Sequence, residues 1–553
     1  MPLMSVCMRR SSFLFCLFIL VGCAGLSDSP QREPWRSGGK PKRVVILVFD
    51  QLRPDFIDRF SLPHFQRLKK HALQFENAWV GHLTSNTIVS HPVITSGLSP
   101  KHLPWSDEVF LDKEGVLGKK GEFYSNMELK AEDFPKIWGK VKPSLLSKIP
   151  GPPESKFVVA QKHYAAFGFG TPTTASRILT LGPKRSKDPL KGWREPVGHL
   201  LLQQFIEPFG GRFFLDANPS YGTDKTVYPF DGNRYAKGND PQHFGGDIWV
   251  ADSALSFFQS EPKWTAAFIS FGALDKTLHA LGEHEESTRT AWALENGLDL
   301  KTVLLRADEQ LGRVLDYLES KDLLQETLVI ATSDHGGQVD TEYYGLHSPI
   351  GNHLDFIEGK TPLESLPREL QRLVKAGSVK ALVRDSALRF YLKKTDRISL
   401  LNFSSAVRKI PGVAEVYYRQ EISGRSHYIR AFRSDKLQGA SLDWAKSHHP
   451  ALLQSLSSPT SADIVVLLLD GVGYGFPGDH GGAQEKVQRI PFFLWSPNLR
   501  TNTPTVRRQL EQIEARLVDI HPLVLELMGL PADSSIDGSS LGISSLIEPT
   551  LQE

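Results

Sequence analysis

The chain has 553 residues, 40% of them hydrophobic and 23% charged, with a formal net charge of +2. These values fit a globular protein built as one large α/β unit with insertions or as several domains. They exclude a strongly basic nucleic-acid binder, and no basic tail or extended charge run suggests a nucleic-acid partner.

Arg9 and Arg10 precede an apolar run over residues 11–21. That is the length of a signal-peptide apolar region and is short for a bilayer span. The run ends in Leu20, Val21, Gly22 and Cys23, which resembles a bacterial lipobox. Residues 1–22 therefore read as a lipoprotein signal peptide, Cys23 as the lipidated residue and residues 23–42 as a polar tether. Ala24 after the cysteine points to the outer membrane of a Gram-negative bacterium, facing periplasm or cell surface, with acyl chains as the membrane anchor. A plain signal peptide with a chance cysteine is the alternative. Cys7, Cys16 and Cys23 all lie in this segment, so the body offers no disulfide, cysteine nucleophile or thiolate ligand. Any metal there rests on His, Asp and Glu.

Residues 43–49 are a continuous apolar run, as expected of a strand covered on both faces in a parallel sheet. Asp50 ends it and either caps a helix or serves as a ligand at the carboxyl edge of the sheet. Hydroxyl residues cluster from Thr84, and the pattern predicts a helix from near Thr87 to near Gly97 with an irregular start because of Pro92. Residues 105–250 are less regular. Within them, 156–161 reads as a strand that delivers Lys162, His163 and Tyr164. Residues 265–271 read as a buried strand leading to Asp275 and His279, four apart and so on one side if helical. Helical periodicity over 302–321 leads to a strand over 327–332 and then to Ser333-Asp334-His335-Gly336-Gly337.

From about 341 to 460 the pattern changes, with helices over 363–374 and 399–408 and strands over 413–418 and 428–432. We read residues 346–460 as an inserted α+β cap. Residues 464–469 then read as a return to the core sheet, delivering Gly478-Asp479-His480-Gly481-Gly482. Residues 490–495 read as a further strand and 517–528 as a helix. The core thus comprises 43–345, with an irregular insertion at about 105–250, and 461–548.

Asp50, Asp275, His279, Asp334, His335 and His480 supply three carboxylates and three imidazoles. Two divalent cations, each held by three protein groups plus an oxygen, would use them all. Zn²⁺ suits this donor mixture best, with Mn²⁺ as the alternative.

These motifs resemble the alkaline phosphatase superfamily, in particular its type I phosphodiesterase/nucleotide pyrophosphatase branch and the related bacterial phosphate-irrepressible alkaline phosphatases. The resembling residues, in the family's order, are Asp50 after the first strand and Thr87 four residues before His91. They continue with Asp275 and His279, then Asp334-His335-Gly336, then His480 eleven residues before Pro491. The segment from Val518 to Leu541 resembles the family's C-terminus. The resemblance implies a doubly wound, mostly parallel sheet flanked by helices. It implies one metal on Asp275, His279 and His480, and a second on Asp50, Asp334 and His335 with Thr87. It implies Thr87 as a nucleophile that forms a phospho-threonine; Ser85 and Ser90 are weaker candidates.

Two positions depart from the family. Asp107 stands where relatives often carry an Asn that donates to a phosphoryl oxygen, and a carboxylate there would repel a phosphate dianion unless protonated or displaced. Lys162 can grip the phosphoryl oxygens, but Tyr164 stands near where monoesterases carry an Arg. The expectation is hydrolysis of small phosphate esters, with a lean to phosphodiesters or nucleotide pyrophosphates. The alternatives are a phosphomonoesterase, a head-group transferase and a non-catalytic surface-binding lipoprotein. A sulfatase is disfavoured, because the short Cys/Ser motif with Pro and Arg is missing.

Overall fold

The computed structural model describes residues 39–103, 105–125, 157–161, 179–181, 212–213, 264–281, 300–338, 342–343, 355–376, 378–475, 478–499, 504–531 and 534–543, with a few positions between 247 and 262. Cys23, Lys162 and Tyr164 lie outside them, as does most of the region 105–250.

In chain order the elements begin with β1 (Arg43–Phe49), α1 (Pro54–Arg59), α2 (Pro63–His71), β2 (Leu73–Gln74) and α3 (Thr87–Ser96). Next come β3 (Val109–Asp112), β4 (Glu122–Ser125), β5 (Phe157–Gln161), β6 (Leu179–Leu181), β7 (Arg212–Phe213) and β8 (Ala266–Phe271). α4 (Ala273–Leu281), α5 (Leu300–Ser320), β9 (Thr327–Thr332) and β10 (Glu342–Tyr343) complete the first half. The second half runs through β11 (Phe356–Ile357), α6 (Arg368–Lys375), β12 (Val379–Arg384), β13 (Ala387–Leu392), α7 (Arg397–Val407), β14 (Val413–Ile422) and β15 (Arg425–Arg433). It ends with α8 (Gly439–Leu456), β16 (Ile464–Leu468), β17 (Val472–Gly473), α9 (Glu485–Gln488), β18 (Phe492–Trp495), α10 (Pro504–Leu510) and α11 (Ile520–Leu527).

The main sheet has the order β2-β18-β9-β1-β8-β5-β6-β7. It is parallel except that β18 runs antiparallel to both neighbours. β1 sits in the middle, and alternate side chains enter different layers. Val44, Ile46 and Val48 pack with α3 and α11, whereas Val45, Leu47 and Phe49 pack with α1, α2 and α5. All six are at most 1% exposed. Full burial of such a side chain is worth about 1.5–3 kcal/mol, so this strand anchors both layers. The expected doubly wound, mostly parallel α/β sheet flanked by helices is the observed one.

Register carries the functional consequence. Phe49 pairs with Phe271, and Val48 pairs with Thr332. Three adjacent parallel strands therefore stop at nearly the same level, and the residues just past them meet at the carboxyl edge.

The second sheet, β11-β12-β13-β16-β14-β15, is antiparallel throughout. One expectation is corrected here. The strand over 464–469 does not return to the main sheet: β16 lies in the middle of the second one, between β13 and β14. Its apolar run fits a strand buried on both faces in either sheet, so composition could not decide between them. The pair β10 and β17 brings the start and end of the excursion together.

Candidate metal centre

α3 is built to start at Thr87. The Asn86 side chain accepts a hydrogen bond from Val89 N at 3.1 Å, and Gly97 ends the helix at φ +69. Pro92 sits inside this helix rather than distorting its start. It has no N–H to offer the carbonyl of Ile88. Trp105 fills the gap, donating its indole N–H to that oxygen at 3.2 Å.

Loops from three strand ends meet the start of α3. Ser333 Oγ donates to the Phe49 carbonyl at 2.6 Å and accepts from Leu52 N at 3.0 Å, tying the end of β9 to that of β1. Gln51 adopts a left-handed backbone (φ 66), and its N–H donates to Asp334 Oδ1 at 3.3 Å. A Cβ at Gly337 would lie 1.9 Å from Gln51 Nε2, so any side chain there would displace the Gln51 amide.

Asp50, Asp334 and His335 are fully buried and converge. His335 Nε2 lies 3.3 Å from Asp50 Oδ1 and 3.6 Å from Asp334 Oδ2. Thr87 Oγ1 lies 3.3 Å from His335 Nε2 and 3.4 Å from Asp50 Oδ2. Thr87 is only half-buried, more open than the other described members of the cluster. Beside it, His480 Nε2 lies 3.5 Å from Asp275 Oδ1, and the His335 and His480 rings stack with centroids 4.0 Å apart. The groups Asp50–Asp334–His335 and Asp275–His335–His480 each bring three donor atoms within 4.8 Å of one another.

The donor set fits metal ions. Atoms sharing a tetrahedral ion with bonds of about 2.0–2.2 Å stand roughly 3.3–3.6 Å apart, which is how far His335 Nε2 lies from each carboxylate. Asp334 Oδ2 is buried with no well-directed hydrogen bond, His91 Nε2 standing 3.4 Å away, and a cation would satisfy it. His335 Nδ1 lies 2.9 Å from the Gly336 carbonyl, which fixes the proton on that nitrogen and leaves the Nε2 lone pair facing the carboxylates.

Burial raises the Asp334 carboxyl, but the imidazoles of His335 and the neighbouring His91, when protonated, outweigh it and hold the group well below the usual carboxylate range. His91 Nε2 stands 3.4 Å from Asp334 Oδ2. His82, facing Ser90 Oγ at 3.4 Å, is pushed down to about 3 by burial, reinforced by His335, and is neutral.

The structure thus brings together Asp50, Thr87, Asp275, Asp334, His335 and His480. His279 is part of α4, but its side chain is outside the described residues, as is the whole of Lys162. His480 arrives from the loop between β17 and α9, not from the end of a main-sheet strand. Ser90 is fully buried against His82, and Ser85 is fully buried too, so neither residue is as open as Thr87. Asp107 does not face the cluster as a free carboxylate: it is fully buried and doubly bonded to Arg389. Paired with Arg389, Asp107 presents no free carboxylate to a phosphate. The sequence reading gave no role to Gln51, His82 or Arg389. Only Arg389 left a signal, as a lone charge in the otherwise apolar strand β13.

Comparison with known proteins follows the same lines. The model of the type I phosphodiesterase/nucleotide pyrophosphatase family matches residues 44–472, and the chain belongs to that family. It is a hydrolase of phosphate esters. Among solved structures, a variant of the alkaline phosphatase PafA aligns with TM-score 0.52 at 12% identity, over 91% of this chain and 98% of that one. Wild-type PafA aligns with TM-score 0.50 at 15% identity over the same shares. Human ectonucleotide pyrophosphatase/phosphodiesterase 5 aligns with TM-score 0.49 at 13% identity, over 91% and 99%. At these identities the likeness to PafA speaks to fold. No curated protein matches the chain.

Proposed function

We propose that this protein hydrolyses phosphodiester or nucleotide pyrophosphate bonds through a phospho-threonine intermediate on Thr87, at a site for two Zn²⁺ ions. One observation carries the reading: the hydroxyl of half-buried Thr87 sits within 3.5 Å of both Asp50 and His335, at the N-terminus of a helix. Asp50, Asp334 and His335 would hold one ion, and Asp275 and His480, with His279, the other. Bound there, the ions would supply electrostatic stabilisation of the phosphoryl oxygens and acidify the threonine hydroxyl. The residues do the rest. The positive end of α3 favours negative charge on Thr87 Oγ1. This oxygen gives up its proton to solvent and attacks phosphorus in line; the O–P bond forms, and the leaving oxygen departs with the bonding pair and takes a proton from solvent. Water then cleaves the phospho-threonine and restores the hydroxyl.

The family description supports diesters and pyrophosphates over monoesters. Lys162 would grip a free phosphoryl oxygen, and a single lysine suits a diester monoanion better than a monoester dianion. A chain free of cysteines after Cys23 supports Zn²⁺ held by nitrogen and oxygen, with Mn²⁺ as the second choice. We also propose lipid anchorage through Cys23 at the outer membrane. The test is a panel of paired aryl mono- and diesters with nucleotide pyrophosphates, run with metal analysis on the purified protein. A preference for monoesters would overturn the substrate assignment.

A further inference from the structure

Arg389 is the centre of a buried network that reaches the metal cluster without belonging to it. It projects from β13 of the second sheet and has no exposed surface. A guanidinium carries five N–H donors, and here every one has a partner. Nε and Nη2 donate to the two oxygens of Asp107, the latter at 3.0 Å. Nη1 and Nη2 donate to the two oxygens of Asp385 at 2.9 and 2.7 Å. The fifth hydrogen goes from Nη1 to the backbone carbonyl of Gly481 at 2.9 Å.

Gly481 adjoins His480, and its peptide is held from both ends. Its N–H donates to the Ser85 carbonyl at 3.0 Å, two residues before Thr87. The His480 carbonyl accepts from Ser386 N at 2.8 Å, in the turn that also carries Asp385. Gly481 itself takes φ +75, and a Cβ there would lie 2.1 Å from Asp385 Oδ2. The turn and the His480 loop are thus in direct contact. Arg389 clamps the two together and fastens both to Asp107, on the loop that follows α3. Balancing two carboxylates would need only four of the five donors. The fifth is spent on the residue next to a ligand.

We propose that Arg389 is a positioning residue for His480, setting the imidazole's place opposite Asp275 and so the affinity of the ion those two residues hold. The inference rests on the metal reading above. Partners that orient a metal ligand typically contribute about 10- to 100-fold in metal affinity.

The test is titration of the metal-free full chain with Zn²⁺ against a chromophoric chelator, giving a stoichiometry and a Kd for each ion. Arg389→Met alone leaves two buried carboxylates unpaired and risks misfolding. The informative variant is therefore Arg389→Met combined with Asp107→Asn and Asp385→Asn. It leaves no unpaired charge at these three positions, and the asparagine oxygens still accept from Glu108 N and Ala387 N as the aspartates do. The expected result is one ion with wild-type Kd and one bound roughly 10- to 100-fold more weakly. Arg389→Lys, which keeps the charge but loses the fork, should show the same selective weakening. Two ions at wild-type affinity in the triple variant, or equal weakening of both, would overturn the positioning role. A wild type that takes up no Zn²⁺ would instead overturn the metal reading, and this inference with it.

Discussion

The Thr87 hydroxyl stands 3.3 Å from His335 Nε2, although the two residues are 248 positions apart in the chain. Replacing Thr87 with alanine removes the proposed nucleophile and leaves both carboxylates and the imidazole of that group in place. Thr87→Ala is expected to lower turnover by at least about 10³-fold while retaining most of the bound metal. Stopped assays with metal analysis check this, and near-normal turnover would remove Thr87 from the mechanism.

Metal removal should be costly in two readouts. Dialysis against a strong chelator is expected to abolish hydrolysis and to lower the thermal midpoint, with both recovering on adding Zn²⁺. An ion present at 1,000 times its Kd stabilises the folded state by about 4 kcal/mol. A chelator-treated protein of unchanged activity and midpoint would contradict the metal site.

The neutral His82 predicts an acid-labile fold. Its value in the folded protein, about 3, lies below the ordinary 6.5. Its contribution to stability is therefore complete above pH 6.5 and is lost as pH falls towards 3, because unfolding then takes up a proton. The slope for one such proton is about 1.4 kcal/mol per pH unit. Denaturant titrations between pH 4 and 6 should show a stability slope smaller by about one proton in His82→Gln than in the wild type. Equal slopes would mean that His82 is charged in the folded state.

The Trp105–Ile88 bond tests how Pro92 is tolerated. Trp105→Phe leaves the Ile88 carbonyl without its donor and is expected to destabilise the protein by about 1–3 kcal/mol. Pro92→Ala restores a helical N–H at that position and should recover part of the loss in the double variant. A double-mutant cycle with no coupling would show that the indole contributes only packing.

The main elements and most of the site were legible in the sequence for a physical reason. Strands buried on both faces, such as β1, β8 and β9, leave unbroken apolar runs, and chemistry at the carboxyl edge of a parallel sheet falls just after them. Asp50, Asp275 and Asp334 could therefore be read as sheet-edge residues, and His335 with them. The helix of Thr87 was legible from the hydroxyl residues at its start and its Gly97 stop, whereas its Asn86 cap came only from the structure. Sequence did not reveal which sheet β16 would join, because an apolar strand reads the same in either. Nor did it reveal that Asp107 is neutralised by Arg389, 282 positions away.

The sequence by itself determined the donors, their order along the chain and the local structure that delivers each one, since these depend on periodicity and caps within a few residues. Tertiary structure alone decided their meeting. Equal register of β1, β8 and β9 brought three aspartates to one level, and the left-handed Gln51 tied Asp334 to β1. A hairpin of the second sheet fixed the loop of His480. Those are contacts between residues hundreds of positions apart, and no local pattern encodes them.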